Sequence, residues 1–161
     1  MRIGILSDTH DQVARTRRAV SILTAAGAEA LIHCGDLTIP EVVDELIGVP
    51  STFVFGNCDY DQADLRRAMK RIGANYLGLG GLITLGDRRI AVTHGHSDAE
   101  LRRLTDLEPD YLFSGHTHHR RDVREGKTRF INPGALYRAS SWTVALLDLA
   151  ADDLQTLTLT E

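Results

Sequence analysis

At 161 residues, 43% of them hydrophobic and 25% charged, the chain has the size and apolar content of one globular domain, residues 1–161, with material for a real core. A formal net charge of −4 leaves no overall cationic field for a nucleic-acid backbone, and the pairs Arg17-Arg18, Arg66-Arg67 and Arg102-Arg103 sit on predicted helices as solvated faces. No apolar run spans a bilayer and Asp8 interrupts the first one too early for a signal-peptide core, so a cytoplasmic protein with free thiols at Cys34 and Cys58, no membrane partner and no clear nucleic-acid surface is expected.

In chain order, RIGILS reads as a strand and VARTRRAVSILTAAG as a helix, with Val13, Val20, Leu23 and Ala26 at helical spacing and Gly27 as its stop. EALIHCGD is a strand that buries His33 as a core histidine. TIPEVVDELIG is a helix that Thr38 and Glu41 open with a capping box, with Pro40 in the first turn. STFVFGN is a third strand, followed by a helix from about Ala63 to Ile72. The near-continuous apolar strands of this half suit parallel strands covered on both faces.

The second half carries turn signals between paired strands: Gly86-Asp87 inside LITLGDRRIAVTHG and Glu125-Gly126 inside RDVREGKTRFINPG. Ser97 and Glu100 cap a helix to about Leu107, DYLFSG is a buried strand, and SWTVALLDLAADDLQTLTLT closes the chain as a third hairpin. A parallel half followed by a mainly antiparallel half predicts an α/β fold of two mixed β-sheets face to face, with helices outside.

The unusual polar residues fall at five predicted strand ends. Asp8 and His10 end the first, Gly35-Asp36 the second and Gly56-Asn57 the third; His94-Gly95-His96 and Gly115-His116-Thr117-His118 end two later ones. In open α/β sheets the carboxyl ends of the strands share one edge, where sites form. Singly, each residue has a structural reading as helix cap, core histidine or turn. Together they do not, because two carboxylates about 4 Å apart repel by roughly 4 kcal/mol at an effective dielectric near 20, and clustered histidines need partners. Divalent cations are such partners. A donor set of Asp, His and Asn suits Mn²⁺, Fe²⁺, Zn²⁺ or Ni²⁺ better than Ca²⁺, and seven candidate ligands fit two ions better than one, bridged by one carboxylate.

DTH, GD, GNCD, HGH and GHTH, in that order, resemble the calcineurin-like metallophosphoesterase superfamily in its small bacterial and archaeal branch. The resemblance implies a four-layer α/β/β/α sandwich. It also implies that Asp8, His10, Asp36 and His118 hold one metal and Asp36, Asn57, His94 and His116 the other, with Asp36 bridging and Mn²⁺ the expected ion. The implied reaction is hydrolysis of a small phosphate ester, a diester before a monoester, by metal-bridging hydroxide. Asp36 and Asn57 then serve catalysis through the metals. Where many members carry a histidine after GN, this chain has Cys58, so His96, one residue past Gly95, or a metal-bound water becomes the expected leaving-group acid. Ala135 follows Asn132-Pro133-Gly134 where the family often has serine. The alternative function is that of a protein-interaction scaffold, since a eukaryotic retromer subunit shares this fold with an altered site; an amidohydrolase barrel needs a longer chain. Apolar residues on the C-terminal hairpin or around Leu77-Gly78-Leu79 are candidate contacts for a homodimer or homotetramer.

Overall fold

The computed structural model describes residues 1–160. One sheet contains β1 (Arg2–Leu6), β2 (Ala30–His33), β3 (Ser51–Phe53), β4 (Asn75–Tyr76), β10 (Trp142–Asp148) and β11 (Asp153–Leu159), in the order β11-β10-β1-β2-β3-β4. The other contains β5 (Gly80–Leu85), β6 (Arg88–Thr93), β7 (Tyr111–Phe113), β8 (Arg121–Glu125) and β9 (Thr128–Asn132), in the order β5-β6-β7-β9-β8. Four helices connect them: α1 (Val13–Ala25), α2 (Pro40–Asp44), α3 (Gln62–Arg71) and α4 (Asp98–Thr105).

Three apolar clusters define the layers. Leu6, Leu31 and Phe53 pack with Leu23 of α1 and with Leu65 and Met69 of α3 on the outer face of the first sheet. Ile3, Ile5 and Ile32 meet Ile90, Val92, Phe113 and Ile131 between the sheets. Leu104 of α4 joins Ala91, Leu112 and Phe130 on the outer face of the second sheet. The order is therefore helices, sheet, sheet, helix. Each fully buried Leu, Ile or Phe contributes about 1.5–3 kcal/mol of transfer free energy, which explains why β1, β2 and β7 are apolar on both faces. Among the described residues no helix is long and apolar enough to cross a membrane.

The second half is mainly antiparallel, as expected, through β5-β6, β8-β9 and β10-β11, and the second sheet adds a parallel centre in which β6, β7 and β9 run side by side. The crossover through α4 covers the outer face of β6 and β7, so these strands can run side by side in one direction. The C-terminal hairpin instead joins the first sheet, with Ile5 opposite Ala145. One local expectation changes: Thr38 does not cap α2. It lies at φ +68°, its N–H donates to Asp59 Oδ1 at 2.8 Å, and Ile39 takes the N-cap position without a side-chain bond. Ser97 behaves as its sequence predicts, its Oγ accepting from Glu100 N–H at 3.3 Å.

Candidate metal centre

The carboxyl ends of β1, β2, β6 and β7 bring Asp8, Asp36, His94 and the GHTH loop together across the gap between the sheets. Ligand atoms of Asp8, His10 and His118 lie within 4.8 Å of one another, as do those of Asp8, Asp36 and His94. His118 Nε2 is 3.1 Å from Asp8 Oδ1, and His94 Nε2 is 3.4 Å from Asp36 Oδ2 and 3.9 Å from Asp8 Oδ1. His10 Nε2 reaches Asp36 Oδ2 at 3.7 Å. The His116 ring lies 5.2 Å from that of His94, and the His116 backbone N–H donates to Asp8 Oδ2 at 3.1 Å. Asn57 stands on the exposed rim, its Nδ2 3.5 Å from Cys58 Sγ. Cys58 is half-buried; its Sγ, Asp36 and His10 form a third group of close donor atoms. Burial, then Asp36, pushes the Cys58 thiol up to about 11.

Hydrogen bonds to the other ring nitrogen aim two of these histidines. His94 Nδ1 donates to Cys34 O at 2.7 Å and His118 Nδ1 to Arg138 O at 3.3 Å, so each turns its Nε2 toward the carboxylates. Burial opposes protonation of His94, but Asp36 and Asp8 outweigh it and hold the imidazole above its ordinary pKa. Asp36 is likewise buried, yet the His94 ring and the Cys58 N–H at 2.8 Å hold its carboxyl well below the usual range. Asp8 Oδ1 and His94 Nε2 are nevertheless buried with no hydrogen-bond partner.

The backbone pays for this convergence. Asp8, His10, Asp36, His116 and His118 have φ between 46° and 67°, a left-handed conformation that costs about 1–3 kcal/mol per non-glycine residue. Five strained residues at one spot require a surrounding structure that over-determines them. Close approach does part of this: a Cβ on Gly56 would lie 2.0 Å from Asp36 Oδ1, and one on Gly115 only 1.9 Å from Ser7 Oγ.

With this geometry in view, the family comparison is decisive: the model of the calcineurin-like phosphoesterase superfamily domain matches residues 1–152. The chain belongs to this superfamily. A phosphodiesterase of Methanocaldococcus jannaschii is 30% identical over 154 residues, covering 92% of this chain and 93% of that protein. The solved structure of an archaeal phosphodiesterase superposes with a TM-score of 0.91 at 28% identity, covering 99% of this chain and 100% of that one. Vps29 of Entamoeba histolytica, solved in complex with zinc, shares the fold at a TM-score of 0.66 and 19% identity, over 99% of this chain and 98% of its own.

Two further residues position the site: Asp59, which the sequence shows only as the last letter of GNCD, and Asn132, which it shows as the start of the Asn132-Pro133-Gly134 turn. Asp59, the acid of GNCD, is buried and accepts four backbone N–H bonds, from Asp36 and Gly56 on Oδ2 and from Leu37 and Thr38 on Oδ1, at 2.7–2.9 Å. It ties the GD loop to the GNCD loop. Its signal was its place two residues after Asn57 in a turn, where a short carboxylate caps free N–H groups. Asn132 fixes the GHTH loop, donating from Nδ2 to Gly115 O at 2.8 Å and accepting from Gly134 N–H at 2.9 Å. His33 is the core histidine expected: Nδ1 accepts from Gly35 N–H, Nε2 faces Thr9 Oγ1 at 3.0 Å, and burial, then His94, pushes its pKa down to about 3.

Proposed function

We propose that this chain is a phosphodiesterase that works with two divalent metal ions, Mn²⁺ before Fe²⁺, Zn²⁺ or Ni²⁺. The observation that carries the reading is the pair of buried, unpartnered acceptors, Asp8 Oδ1 and His94 Nε2, that face one another at 3.9 Å. Two lone pairs directed into one dry space fit a cation and little else. Asp8, His10, Asp36 and His118 would hold one ion and Asp36, Asn57, His94 and His116 the other, with Asp36 common to both. Ions bound there supply Lewis acidity, activating water at neutral pH and offsetting charge on the phosphoryl oxygens.

The chain's own residues then do three things. Asp36, kept ionised, holds the two halves of the site in register. Asn57 gives a neutral amide, adding no negative charge against an anionic substrate. His96 protonates the leaving oxygen in this reading: its ring lies 5.4 Å from that of His94 and 6.2 Å from that of His116, and its Nδ1 is buried without a partner. Burial, then the neighbouring His94 and His116, lower its pKa, making its protonated form the stronger acid. Cys58, with its thiol pushed up, is the weaker candidate.

The test is hydrolysis of bis-p-nitrophenyl phosphate by metal-stripped protein refilled with Mn²⁺, beside Asp36→Asn. Turnover that needs metal and falls at least a hundredfold in the variant supports the reading; tight metal binding without turnover replaces it with the scaffold. His96→Ala should slow an alkyl diester with a poor leaving group far more than the nitrophenyl ester. Equal effects on both would remove His96 from the mechanism.

A further inference from the structure

Two adjoining cavities, of about 370 and 470 Å³, run outward from the candidate metal centre and share His118, His119 and Ser140. Arg138 lines the first beside His116, and Arg120 lines the second. Most arginines of this chain are already committed. Arg17 pairs with Glu45, Arg71 with Asp44, Arg121 with Glu125 and Arg129 with both Asp122 and Asp152. Arg120 and Arg138 are exposed and have no carboxylate partner among the described residues. The one carboxylate in the groove, Asp122, is taken up by Arg129 through two bonds of 2.7 and 2.8 Å. The groove therefore presents two unneutralised guanidinium groups along a polar wall that begins at two candidate metal ligands.

Local structure fixes both arginines near this path. The Arg120 stem lies over Gly134, whose missing Cβ would sit 3.3 Å from Arg120 Cγ and 2.1 Å from Thr143 Oγ1. Arg138 is held at φ +44° with its carbonyl on His118 Nδ1, and its guanidinium lies 5.1 Å from the Tyr137 ring centre. Tyr137 in turn packs on His10 at 4.3 Å. The loop that aims a candidate metal ligand is thus the loop that carries one of the free charges.

We propose that this groove is a subsite for a second phosphate, so that the preferred substrate is a phosphodiester with one substituent that bears a further phosphate. Guanidinium forks match phosphate oxygens, and the metal centre engages only the scissile group, leaving these two charges for another anion. The inference rests on the phosphodiesterase reading above.

The test compares thymidine 5′-(p-nitrophenyl phosphate) with its 3′-phosphorylated counterpart, which release the same nitrophenolate. The Mn²⁺ protein should show a KM about tenfold lower for the second, the size expected of solvent-screened guanidinium–phosphate pairs, with little change in kcat. Arg120→Gln combined with Arg138→Gln should bring the ratio of the two KM values close to one. Arg102→Gln on α4, also without a carboxylate partner among the described residues, should leave that ratio as it is. Calorimetric titration with thymidine 3′,5′-bisphosphate and thymidine 5′-monophosphate gives a readout independent of turnover, and the same preference should appear there and weaken with added salt. If neither ester is hydrolysed, the phosphodiesterase reading fails while the titration still decides the groove. Equal affinity for the two nucleotides, or a preference that survives in the double variant, overturns the subsite.

Discussion

Replacing Asp59 with Asn tests whether the strained loops are held by that one carboxylate. The wild-type oxygens accept four N–H bonds at 2.7–2.9 Å, two on each. An asparagine oxygen can keep one pair, those from Leu37 and Thr38 for example, but its NH₂ then faces the N–H groups of Asp36 and Gly56, donor against donor. Two bonds to an ionised acceptor are lost, each worth about 1.5–3 kcal/mol, so the expected loss is about 3–6 kcal/mol before relaxation. In a domain of this length that lowers Tm by about 6–24 °C at roughly 2–4 °C per kcal/mol. The release is local to the backbone of Asp36 and Gly56, so Mn²⁺ affinity should fall as well, read by titration calorimetry under conditions where the variant is folded. A variant that melts within about 2 °C of wild type and binds Mn²⁺ equally would refute the reasoning.

Gly115→Ala puts a Cβ 1.9 Å from Ser7 Oγ and 2.6 Å from Asp8 Oδ2, so it should weaken metal binding at least tenfold, measured by calorimetry, by displacing Asp8. Ser97→Ala removes the α4 cap and should cost about 1 kcal/mol in urea denaturation, with metal affinity untouched. The Arg129 cluster predicts a pH signature. Arg129 holds the Asp122 carboxyl below its usual range, and Asp152, though burial works the other way, is held down by Tyr111 and Arg129. Both favour the ionised form in the fold, so their stabilisation is present above about pH 4 and disappears as pH falls through the lowered folded values. The stability gap between wild type and Arg129→Met should narrow across that acid range; a gap that stays constant down to pH 2 would sink the argument.

Much of the architecture is local in origin and could be read from the chain. The helical spacing of Val13, Val20 and Leu23, the Gly86-Asp87 turn and the Ser97 cap each act within a few residues, and each appears in the fold. The ligand candidates were legible because the chemistry demands rare residue types at strand ends. What the sequence could not decide are pairings with no local cause. The return of β10 to lie beside β1, 140 residues away at Ile5 and Ala145, depends on apolar faces seeking each other between layers, as does the parallel set β6, β7 and β9. The two-residue β4 exists only because β3 offers it an edge. Thr38 had every local mark of a cap, but Asp59, distant in sequence, offered its N–H a charged acceptor and the backbone turned left-handed instead. The same holds for the site: Asp8 and His94 are named by their motifs, but only the facing of two sheets leaves their lone pairs 3.9 Å apart and dry.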